Sequence, residues 1–129
     1  MYAELNDELR SLEDGNDSIV IKKYIEGIEG GRTLDVSDSP ATKVFQGGHV
    51  VIFNATTKTY KPMPITSAGI YDSLPQNYNY IGVLQRSVLA AKPFAAIMVR
   101  GTVNEAASPY PVTEAMKTAL KHIIFRSDI

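Results

Sequence analysis

Leu5, Leu9 and Leu12 recur at spacings of four and three, with Glu4, Asp7, Glu8 and Arg10 between and around them. That period puts the three leucines on one face of a helix. Gly15, Asn16 and Asp17 then end the pattern with turn chemistry. Residues 1–18 are therefore predicted to be an N-terminal helical arm, set apart from a domain spanning residues 19–129. A helix of about 12 residues without a packing partner is marginal in water, so the arm either docks or frays.

From residue 19 the pattern turns strand-like. "SIVIKKYIEGIEGGRTLDVSD" carries β-branched residues, a break at Gly30-Gly31, and a short stretch in which Leu34 and Val36 share a face. "FQGGHVVIFNATTKTYKPMPI" predicts a hairpin: His49 to Asn54 as one strand, Ala55 to Lys58 as the turn, Thr59 to Met63 as the return. Pro62 and Pro64 cannot donate to a ladder, which confines the return to a sheet edge or a strand end. "YDSLPQNYNY" is a loop with interleaved tyrosines, and two more strands follow in "YIGVLQRSVLAA" and "FAAIMVRGTVN". In the last of these, Arg100, Thr102 and Asn104 are predicted on one face and Ile97, Val99, Gly101 and Val103 on the other.

The clearest helix comes near the end. Thr113 is its N-cap, and Glu114 sits in the first turn, where the helix dipole favours an acid. Ala115, Met116, Ala119, Leu120 and Ile123 form the predicted buried stripe, with Lys117 and Lys121 opposite. Ile124 and Phe125 leave the helix as a last extended segment. Ile97, Val99, Val103, Leu120 and Ile123 are expected to be buried together. The result is a mainly β (α+β) domain with one C-terminal helix.

The chain has 129 residues with 44% hydrophobic and 21% charged residues, enough for one compact domain with its own core. A formal net charge of −1 gives no electrostatic case for nucleic acid. The nearest approach to a basic cluster, Lys117, Lys121 and Arg126, is a solvated face. The absence of cysteine excludes disulfides, thiolate metal sites and cysteine nucleophiles. No apolar run approaches the roughly 20 residues that span a bilayer, and the acidic start lacks the apolar segment of a signal peptide.

Candidate chemistry is sparse. His49 opens a strand and His122 sits near a helix C-terminus, and neither has a second ligand at i+2 or i+4. Gly30-Gly31 and Gly47-Gly48 are each followed by strand residues, so they read as turns or bulges and not as phosphate loops. The carboxylate pairs Glu26/Glu29 and Asp35/Asp38 are local and exposed. Arg100, Asn104 and Glu105 make the one polar cluster bounded by strongly apolar sequence. Its first reading is an exposed strand face plus a side chain that satisfies loop backbone, its second a subunit contact, and catalysis comes last. Neither a cofactor nor a metal is expected, and the chain is not expected to be an enzyme.

"AAIMVRGTVNEAASPYP" followed by "TEAMKTALKHIIF" resembles the C-terminal half of phage head decoration and head-fibre proteins. The earlier "GGHVVIFNATTKTYKPMPI" and "YIGVLQRSV" are similar to them as well, so the likeness runs from about Gly30 to Phe125. It implies a small β-clip-like or barrel-like domain, commonly a homotrimer. Such a protein sits on the outer surface of an assembled head, against the major capsid protein, and stabilises the shell or displays an accessory surface. It also implies a virion location after synthesis in the bacterial cytoplasm, with no nucleic-acid or membrane partner. Residues 1–29 depart from the pattern, being longer and more helical than the free arm of lambda-like decoration proteins. Candidate partner-binding residues are Leu5, Leu9 and Leu12 of the arm, Tyr71, Tyr78 and Tyr80 of the loop, and Arg100, Asn104 and Glu105. A carbohydrate- or host-surface-binding domain is the alternative, with exposed Tyr71, Tyr78 and Tyr80 as stacking platforms. A small enzyme would need a deep polar pocket holding Arg100 and Glu105.

Overall fold

The computed structural model describes residues 17–37 and 42–127. Leu5, Leu9, Leu12 and the predicted helix of the arm lie outside the described residues, as does Asp38. One helical turn, α1 (Asp17–Val20), leads into β1 (Ile21–Gly27). The hairpin forms as its sequence predicts, from β4 (Val50–Asn54) and β5 (Thr59–Pro62). The Asn54 carboxamide oxygen closes the turn by accepting from the backbone N–H of Thr56 and Thr57 at 2.9 and 3.2 Å. β6 (Asn79–Leu84) and β9 (Ile97–Asn104) complete the body of one sheet in the order β1-β9-β6-β4-β5. β10 (Ile123–Arg126) runs parallel to β9 over Gly101 to Asn104. The proline-bearing β5 lies at one end of the order and β1 at the other, so the sheet is open and not closed into a barrel. β1 occupies one edge of β9, while β6 and β10 divide the second edge between its two halves.

Two short ribbons stand apart from this sheet. One pairs β2 (Arg32–Thr33) with β8 (Phe94–Ala95), the other β3 (Val44–Phe45) with β7 (Val88–Leu89). They explain why "VVIF" in β4 is apolar at every position. Val50 and Ile52 join one buried cluster, with Met63, Tyr71, Val83, Met98, Val103, Met116, Leu120 and Ile123. Val51 joins a second, with Leu34, Phe45, Leu84, Val88, Ala95 and Ile97. Side chains alternate across a strand, so the sheet carries a core on each face, and its central strands have no water-facing side to mark with polar residues.

The predicted common burial of Ile97, Val99, Val103, Leu120 and Ile123 needs correcting. Val103, Leu120 and Ile123 share the first cluster, Ile97 belongs to the second, and Val99 is only half-buried. The cause is a register shift: Gly27 pairs Met98 but Glu26 pairs Arg100, so one step in β1 spans two residues in β9. Such a bulge inverts the alternation beyond it, which puts Ile97 on the same face as Arg100 and Met98 on the same face as Val103.

The C-terminal helix is also shorter than its stripe suggested. α2 (Glu114–Ala119) is capped as predicted, with the Thr113 hydroxyl accepting from Met116 N–H at 3.3 Å. Leu120 leaves helical geometry at φ −94°, ψ 67°, and Ile123 is a strand residue of β10. Met116 and Leu120 are buried, whereas Ala115 and Ala119 are exposed. His122 lies in the turn after the helix, where its carbonyl accepts from Gly101 N–H at 3.2 Å.

Candidate partner-binding face

Each member of the Arg100, Asn104 and Glu105 cluster has its own structural partner. Arg100 reaches across to Glu26 of β1 at 3.5 Å, and both side chains are about half exposed. Asn104 is buried, contrary to an exposed strand face. Its carboxamide oxygen caps the 3₁₀ turn Glu105–Ala107 by accepting from Ala106 N–H at 3.2 Å, which satisfies loop backbone as the sequence reading held. Glu105 holds the Lys117 ammonium at 2.8 Å, tying that turn to α2 and raising the lysine's pKa. Arg100 and Glu105 therefore face different partners and do not converge.

The tyrosines divide similarly. Tyr71 was expected at the surface but is 6% exposed, and its hydroxyl accepts the Val50 N–H at 3.1 Å. The hydroxyl gives an otherwise polar-looking loop residue a place in the core. Tyr78 and Tyr80 are half-buried against the first cluster, with the Lys61 ammonium 4.5 Å from the Tyr78 ring centre. The three do not form an exposed stacking platform. Asp35 accepts from the Ser37 hydroxyl at 2.6 Å, and this bond lowers its pKa.

Exposed apolar side chains gather elsewhere. Seven large ones are exposed among the described residues, and four of these, Ile19, Tyr24, Ile25 and Ile124, lie in or beside β1 and β10. Those two strands flank the C-terminal half of β9. Ile124 pairs with Thr102 on one side and Lys23 pairs with it on the other, so Lys23, Thr102 and Ile124 form one row on the sheet surface. Arg100 and Glu26 form the next row. The bulge that separates Ile97 from Val103 also places these rows on the face of the ribbons, beyond the core that the ribbons cover. Lys22, Lys23, Tyr24, Ile25 and Glu26 are all exposed, and among the described residues β1 has a strand neighbour only in β9. The sequence reading found Arg100 here but missed Tyr24, Ile25 and Ile124. Ile25 and Ile124 are β-branched residues in apolar stretches, a pattern that is the same for buried and exposed strands.

No protein-family model matches the chain, and neither a curated protein nor a solved structure matches it significantly. No helix among the described residues is long and apolar enough to cross a membrane.

Proposed function

We propose that the protein binds the outer surface of an assembled phage head as a decoration or head-fibre protein. It is made in the bacterial cytoplasm and carried in the virion. Its partners are the major capsid protein and two further copies of itself at a local symmetry axis, and the mainly β domain is clip-like in the manner of that family. The observation that carries a binding role is the concentration of exposed Ile19, Tyr24, Ile25 and Ile124 around β9. Tyr24 pairs with Gly101 in the row of Ile123, so it projects to the other side of the sheet from Ile124; exposed apolar side chains gathered about the same strands and flanked by charged residues suit a protein contact. The rim here is Lys22, Lys23 and the Glu26–Arg100 pair. The polar residues that could have suggested chemistry are engaged in capping and ion pairing, which fits a scaffold for contacts. The family itself rests on the sequence resemblance.

A head lattice presents the same site many times, so weak contacts repeated around an axis add up through avidity. Ile25→Asp and Ile124→Asp place charge at two of these exposed positions without touching either core. Each variant should stay folded and lose about 1 kcal/mol, the span of strand preference, yet lose cosedimentation with expanded heads. Retained cosedimentation of both variants would remove these positions from the contact.

A further inference from the structure

We propose that His49 is an acid-sensitive joint: a second proton on its ring detaches the loops carrying Tyr71 and Tyr110 from the main sheet. The ring stands where the two buried clusters meet. It makes edge-on contacts with Phe45 of the second cluster at 5.7 Å, with Tyr71 of the first at 5.4 Å, and with Tyr110 at 5.5 Å. Tyr71 and Tyr110 also touch each other at 5.4 Å. Nε2 lies 2.9 Å from the Met63 carbonyl oxygen, so in the neutral ring that nitrogen carries the proton and donates it. A second ring proton would add a charge in a residue that is 3% exposed.

Of the groups packed against the ring, the Met63 carbonyl favours the charge, and its effect is smaller than that of burial. β3 contributes Phe45, the chain after β5 contributes the Met63 carbonyl, and the two loops contribute the hydroxyl-bearing rings of Tyr71 and Tyr110. Burial raises the pKa of the Tyr71 hydroxyl, so it stays neutral through the acid range. Burial pushes the His49 pKa down from 6.5 to about 4, with the Met63 carbonyl opposing the shift, and no carboxylate of the described residues enters the balance. Because the packed form resists the proton while a detached form takes it at an ordinary value, the joint holds fully above pH 6.5. It weakens as the pH falls towards about 4.

The test is amide exchange by NMR on the full chain, read at Val50, whose N–H the Tyr71 hydroxyl accepts, and at Asp72, whose N–H goes to Pro64 O. Between pH 7 and 4.5 the wild-type protection factors should fall on the order of 10²-fold beyond the intrinsic pH effect. In His49→Gln, which can still donate to Met63 O but does not titrate, they should stay level. Equal pH dependence in both proteins overturns the joint, as does loss of protection that is uniform over the whole sheet. If the glutamine variant does not fold, the wild-type ring titration decides, assigned with His122→Asn. A His49 midpoint near 4 supports the joint, and a midpoint at 6 or above overturns it.

Discussion

Ile123 and Ile124 are neighbours in β10 with the same side chain and opposite environments, 4% and 58% exposed. Replacing either with alanine removes three carbons. At Ile123, transfer of those carbons accounts for roughly 2.4 kcal/mol at about 0.8 kcal/mol each. The cavity left beside Leu120 and Met116 raises the loss to about 3–4 kcal/mol, within the range for buried isoleucine. At roughly 2.1 cal/mol/K of unfolding entropy per residue, such a loss lowers Tm by about 10–15 °C for a chain of 129 residues. At Ile124 only strand preference and partial contact are lost, about 0.5–1 kcal/mol, or a few degrees. Urea unfolding followed by far-ultraviolet circular dichroism measures both, with equal m values expected for the two variants. A register slip of one residue in β10 would exchange the two faces. Equal losses, or a larger loss at Ile124, would refute the pairing of Ile123 with Gly101 and the core built upon it.

Tyr71→Phe removes the hydroxyl that accepts the buried Val50 N–H. It should cost about 1–3 kcal/mol in urea unfolding, and wild-type stability would show that Tyr71 acts only as an apolar ring. Arg100→Ala breaks an ion pair between two half-exposed side chains. It should change stability by less than about 1 kcal/mol while reducing cosedimentation with heads; a large stability loss would contradict the exposed placement. Deleting residues 1–16 stops short of Val20, which is 1% exposed and belongs to the first core. The circular dichroism of the domain should survive this deletion and attachment to heads should weaken; a chain that no longer folds would make the arm part of the core.

The β4–β5 hairpin, the Thr113 cap and the mainly β class were legible because each depends on neighbouring residues: turn formers between β-branched runs, and a hydroxyl placed three residues before an amide. The two-sided core was partly visible in the unbroken "VVIF" run, although a buried strand and a buried helix segment can share that pattern. The bulge opposite Glu26 and Gly27 was not legible, since a single inserted residue leaves no compositional mark and yet reassigns Ile97. The early end of α2 had the same kind of cause. Ile123 fits a helical stripe by spacing, but the open half-edge of β9 takes it as a parallel strand. Tyr71 and His49 owe their burial to partners from distant parts of the chain, each other and Tyr110 among them. Of the candidate site, Arg100 was found through its polar setting, while Tyr24, Ile25 and Ile124 are ordinary strand residues whose exposure depends on what fails to cover them.

The central claim, attachment to an assembled head, is tested most directly by sedimenting the purified protein with expanded heads and reconstructing the decorated particle. The account predicts saturable binding, with three copies around each occupied local axis and density from β1 and β10 against the shell or a neighbouring copy. A protein that stays in the supernatant at every head concentration, and is monomeric by light scattering, would contradict both the attachment and the trimer.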